Sequence, residues 1–72
     1  MDCLTDSLDF RGRVVRDENS EIKLHSGKYW GINVVDIRWY NNDKPTRKGI
    51  RLNIQEAKLV KELLEKILED EL

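Results

Sequence analysis

From Ile54 to Leu72 the chain contains no glycine or proline. Ala57, Val60, Leu64 and Ile67, flanked by Leu63 and Leu68, recur there with the period of about 3.6 residues that marks an amphipathic helix. Asn53 and Glu56 stand three residues apart, as the two partners of a capping box do. Everything before this helix either alternates or turns. A lone helix must bury its apolar stripe on another layer, and a sheet is the only one on offer. The expected fold is therefore α+β, with three or four antiparallel strands followed by one C-terminal helix.

The strands are read from alternation and turn residues. Phe10–Arg16 holds Val14 and Val15 and is expected to be the first strand. Asp17-Glu18-Asn19-Ser20 is a turn cluster. Glu21–His25 alternates, and Ser26-Gly27 reads as a tight hairpin turn. Tyr29–Tyr40 is the longest strand candidate, with Gly31 marking a bulge near its start. Asn41–Pro45 is expected to be a loop, and Arg47–Asn53 alternates into the helix.

A 72-residue chain is a single domain, and a domain this small needs a staple or a partner. Cys3 is the only cysteine and His25 the only histidine. That excludes an internal disulfide and a zinc site, and leaves association of identical chains as the added source of stability. Residues 1–9, with Asp2, Asp6 and Asp9, are expected to be a flexible acidic segment, and 10–72 the functional domain. No apolar run reaches membrane-spanning length, and the acidic start is wrong for a signal peptide. With a single cysteine, the expected setting is a reducing intracellular one. That means cytoplasm or nucleoid in a prokaryote or virus, and the nucleus in a eukaryote.

The formal net charge is −1, but it is unevenly spread. Glu21–Asn53 has seven basic residues against three acids, whereas Ile54–Leu72 has three against six. If Ile22, Leu24, Val35, Ile37, Ile50 and Leu52 face the helix, their neighbours face away. Those neighbours are Lys23, His25, Asp36, Arg38, Tyr40, Arg47 and Arg51, with Lys28, Tyr29 and Trp30 at the rim. Trp39 falls on the core-facing parity. Of Tyr29 and Trp30, which are adjacent, one is expected in the core. His25 is expected to be exposed, and Asp36 to orient Arg38 or Lys23.

An open cationic face with aromatics suits single-stranded nucleic acid. Unpaired bases stack on rings, and Lys and Arg track the phosphates. A polar outer face is also the ordinary state of any half-exposed antiparallel sheet. No acid/base pair beside a nucleophile, no glycine-rich phosphate loop and no metal cluster stands out, so neither an enzyme nor a cofactor is expected.

Two stretches carry a family resemblance. Val35-Asp36-Ile37-Arg38-Trp39-Tyr40 and Lys44-Pro45-Thr46-Arg47-Lys48-Gly49-Ile50-Arg51-Leu52, leading straight into a helix, resemble the single-stranded DNA-binding domain of the transcriptional coactivator positive cofactor four and its bacterial, archaeal and phage relatives. Tyr29-Trp30-Gly31 resembles the aromatic-x-Gly segment that opens the family's long strand. The resemblance covers about Lys28–Leu68. It implies a curved four-stranded antiparallel sheet, one helix, and a two-fold homodimer with two channels for single strands. Arg38, Arg47 and Lys48 match its backbone-contacting cations, Tyr29 its stacking aromatic, and Gly49 a position of close strand packing. This chain departs from the pattern at Asn41, where the human-type domain has a stacking tryptophan, and at Trp30, which is often basic in the family. The basic serine-rich tail of the eukaryotic coactivator is missing.

The expected function is single-stranded DNA binding with little sequence choice, in a coactivator-like or replication or repair role beside the corresponding proteins. Lys23, Lys28, Arg38, Arg47, Lys48 and Arg51 are the expected phosphate contacts, and Tyr29, Trp30 and Tyr40 the stacking rings. The alternatives are an RNA-binding sheet and a protein-interaction dimer.

Overall fold

A computed structural model describes residues 7–71. Four antiparallel strands run in sequence order across one sheet, followed by one helix. They are β1 (Asp9–Val15), β2 (Ser20–Tyr29), β3 (Ile32–Asn41), β4 (Lys44–Asn53) and α1 (Ile54–Glu71). The expected flexible segment falls outside the described residues as far as residue 6, as does Cys3. Asp9, placed in that segment by sequence, opens β1, and Leu8 is buried against Gly27.

The helix starts where its cap dictates. The Asn53 side-chain Oδ1 accepts from the Glu56 amide at 2.8 Å, and the Asn53 amide donates to Glu56 Oε1 at 2.9 Å. Two orphan donors of the first turn are thus satisfied reciprocally. Asp17 organises the first turn by accepting from the Asn19 and Ser20 amides at 2.9 and 2.8 Å. The Asn19 amide in particular holds the Asp17 carboxyl below its ordinary value.

Two expected boundaries move. Ser26-Gly27 lies inside β2, and the chain reverses at Trp30-Gly31 instead, where φ is 56° and 79°. Gly31 is therefore a turn residue, not a bulge, and Tyr29 ends β2 rather than opening β3. The register explains the choice. A turn at Trp30-Gly31 sets Leu24 against Ile37 and Ile22 against Trp39. A two-residue turn at Ser26-Gly27 would set Ile22 against Gly31 and lose that pairing of apolar side chains. Similarly, Asn41–Pro45 is not a loop. Asn42 and Asp43, with φ of 51° and 66°, form a two-residue turn, and Lys44 and Pro45 already belong to β4.

The register of β4 slips once. Arg38 pairs with Gly49 but Tyr40 pairs with Pro45, so Thr46, Arg47 and Lys48 stand opposite Trp39 alone. Thr46 pins this bulge: its hydroxyl donates to the Trp39 carbonyl at 2.8 Å and accepts from the Lys48 amide at 3.2 Å.

α1 lies over Leu24, Val35, Ile37 and Leu52, which meet Ala57, Val60, Leu64 and Leu68 around a groove of about 300 Å³. No helical residue is buried, and Leu59, Leu63 and Ile67 are exposed. The most buried side chains lie on the other side of the sheet.

Candidate nucleic-acid interface

The face turned away from the helix collects Lys23 and His25 from β2, Asp36, Arg38 and Tyr40 from β3, and Arg51 from β4. Cross-strand pairing sets His25 against Asp36, Lys23 against Arg38 and Asp36 against Arg51. Sequence alternation predicted this grouping, but not its state. The face is not open. Asp36 is fully buried, and Arg38, Tyr40 and His25 are each under a tenth exposed. The reason is that large side chains on one face fold over one another. The Phe10 and Tyr40 rings flank the His25 ring at 5.6 and 6.0 Å between centroids, and Lys23 Nζ sits 4.5 Å from the Tyr40 centroid.

Asp36 is the anchor. Arg38 donates from Nε to Oδ2 at 3.1 Å and from Nη2 to Oδ1 at 2.9 Å, and Arg51 donates from Nε to Oδ1 at 3.2 Å. Arg38 Nη1 also donates to the Thr46 carbonyl at 3.1 Å, which ties the anchor to the bulge. A buried carboxylate is tolerated because it is paired and its lone pairs are filled. Sequence reasoning gave Asp36 Arg38 or Lys23 as its partner. Arg38 is one, Arg51 is the unexpected second, and Lys23 turns to Glu21 at 3.4 Å. Arg13 reaches the same glutamate at 3.6 Å. Each carboxylate on this face is therefore shared by two cations, and each group of three keeps one positive charge.

Gly49 is where β4 crosses closest to β3. A Cβ built there would lie 2.6 Å from the Ile37 carbonyl oxygen and 2.8 Å from Arg38 Cα. Only glycine fits, and the close approach presses β4 against the Arg38 backbone.

The rim residues divide. The Arg51 guanidinium lies 4.6 Å from the Tyr29 ring centroid. Trp30 projects from the hairpin tip, 86% exposed, with its ring 6.1 Å from that of Tyr29. Neither ring is in the core, which corrects the expectation for that pair. Lys28, Arg47 and Lys48 are exposed. Lys28 sits at the tip end of β2, Arg47 on the β4 bulge, and Lys48 beside Trp39 on the helix side of the sheet. The nine expected contact residues therefore split. Arg38 and Arg51 share Asp36, Tyr29 joins them through Arg51 and touches Trp30, Lys23 sits with Tyr40 beside Glu21, and Lys28, Arg47 and Lys48 stand outside both groups.

Sequence reasoning missed Arg16. Its guanidinium lies 4.0 Å from the Trp39 ring centroid, on the helix side. The turn between β1 and β2 places it there, and no local pattern marks a contact 23 positions apart.

His25 was expected to be exposed and is buried, and among the described residues its Nδ1 has no hydrogen-bond partner. Burial pushes its imidazole below the ordinary 6.5; Asp36 opposes that shift and Lys23 reinforces it. The unfolded chain therefore takes up the proton first as pH falls. The stability due to neutral His25 is complete above 6.5 and is lost as pH falls through the folded-state value. The urea midpoint should drop between pH about 7.5 and about 5.5 in the native chain and stay flatter in His25→Phe. An equal drop in both proteins would remove His25 from the explanation.

Among the described residues, no helix is long and apolar enough to cross a membrane. Comparison of the chain with known protein families, with curated proteins and with solved structures finds no match.

Proposed function

We propose that this protein binds single-stranded DNA with little sequence choice, as a homodimer, in support of transcription, replication or repair. The observation that carries the reading is the pairing of cations with rings on one sheet face. Arg51 lies over Tyr29 and Lys23 over Tyr40, within groups where each carboxylate is outnumbered two to one. Lys23 and Arg51 keep about a fifth of their side-chain surface exposed, 21% and 23%, and bring positive charge to that surface for phosphate oxygens. The exposed rings of Tyr29 and Trp30 offer stacking surface beside them, worth about 1–3 kcal/mol per base. A duplex hides those base faces, so a single strand gains more.

The homodimer is supported by what the fold leaves uncovered. Leu59, Leu63 and Ile67 on α1 are exposed together with the groove beneath the helix. A chain of 72 residues has little core elsewhere to offset that exposure. The resemblance to the positive cofactor four family agrees on both points.

The test is a salt titration with a labelled single-stranded oligomer. The logarithm of the affinity should fall linearly with the logarithm of salt concentration, with a slope of about −0.7 per phosphate contacted. Lys23→Ala and Arg51→Ala should each flatten that slope by about one contact. No binding at low salt would reject the reading in favour of a protein-interaction dimer, and equal affinity for RNA would reject the DNA preference.

A further inference from the structure

Lys23, Arg38 and Arg51 share carboxylates; among the described residues, Arg16 and Lys48 beside Trp39 do not. Two adjoining hollows, of about 350 and 410 Å³, meet at the Trp39 ring on the helix side of the sheet. The first is walled by Ile22 and Ile50, the second by Arg16 and Thr46, and Lys48 lines both. Among the described residues no acidic one lines either hollow, in a chain whose 14 acids outnumber its 13 lysines and arginines. Among the described residues, neither Arg16 nor Lys48 has an ion-pair partner.

We infer that this cleft is a nucleotide subsite, with the base against Trp39 and Ile50 and the phosphate between Arg16 and Lys48. The assignment rests on the single-strand reading above and adds a second, helix-side path to it. A nucleotide is flat and apolar at one end and anionic at the other, and the cleft has the same polarity. The Arg16 guanidinium already lies over the indole, 4.0 Å from its centroid, where its N–H groups can meet an anion beside a ring that offers a base its surface. Lys48 supplies the second charge from the β4 bulge pinned by Thr46.

The chain has two tryptophans, so Trp30→Phe leaves Trp39 as the sole indole reporter. This full-length variant is titrated with a fluorescein-labelled oligothymidine. Anisotropy of the label follows binding, and indole emission follows the cleft. Trp39 emission should be quenched saturably, with its midpoint at the oligomer concentration where anisotropy reaches half its change. Arg16→Gln with Lys48→Gln should weaken that quenching about tenfold. Near-ultraviolet circular dichroism of the variants checks that the Trp39 environment is intact.

A rise in anisotropy with unchanged Trp39 emission would overturn the subsite while the single-strand reading stands. No rise in anisotropy would remove both. Quenching by a polyglutamate peptide at the same concentrations as the oligomer would assign the cleft to acidic protein segments and overturn the nucleotide.

Discussion

Asp36→Ala should unfold most of the protein at room temperature. The carboxylate is fully buried and accepts from Arg38 twice and Arg51 once. Removing it leaves two guanidinium groups on one sheet face without the carboxylate they share. Breaking a buried ion pair in this way costs about 3–5 kcal/mol, because the stranded charge keeps its desolvation penalty. A domain of this size has about 3–5 kcal/mol of core stability to lose. Far-ultraviolet circular dichroism against urea, at fixed protein concentration, measures the loss. Replacing Asp36, Arg38 and Arg51 together by leucine separates the penalty of a stranded charge from the worth of the network. That triple variant should be more stable than Asp36→Ala, since it strands no charge and the Thr46 carbonyl that loses its Arg38 donor is a smaller cost. A loss below about 1 kcal/mol in Asp36→Ala would show that water reaches the guanidinium groups and that the anchor is weaker than its geometry suggests.

Gly49→Ala should cost about 3 kcal/mol, the upper end of the range for overpacking. The added methyl would meet backbone atoms of Ile37 and Arg38, which cannot swing aside as a side-chain tip does. β3 and β4 must separate, and the link from Arg38 to the Thr46 carbonyl loosens with them. Gly12→Ala is the control. Among the described residues nothing lies within 4 Å of a Cβ built at Gly12, so its effect should be within about 0.5 kcal/mol. Equal urea midpoints for the two variants would mean that the sheet absorbs the methyl, and the close approach at Gly49 would lose its significance. The family resemblance expected close strand packing at this position, and the distances supply the reason.

The parts of the fold legible in sequence are those written within a few residues of each other. The cap Asn53 with Glu56, the helical stripe that follows and the Asp17 turn all form from short-range contacts, and each lies where it was expected. Strand alternation also grouped Lys23, Arg38 and Arg51 correctly on one face. The hairpin turn between β2 and β3 was misplaced because Ser26-Gly27 and Trp30-Gly31 are both plausible turns locally. Cross-strand pairing of Ile22 and Leu24 with Trp39 and Ile37 selected the second. The functional surface was the least legible part. Alternation says which way a side chain points, but not what lies on top of it. It therefore predicted an open cationic platform where Asp36, Arg38, His25 and Tyr40 are in fact buried.

The sequence by itself determined one sheet, one helix, the cap between them and the sign of charge along the chain, because period, capping and charge are local properties of neighbouring residues. Only the tertiary structure decided which cations share a carboxylate and which are left without one. Asp36 meets Arg51 across 15 positions, and Arg16 meets Trp39 across two strands. Such partners are set by strand register, a long-range balance of apolar pairing that no short stretch of residues contains.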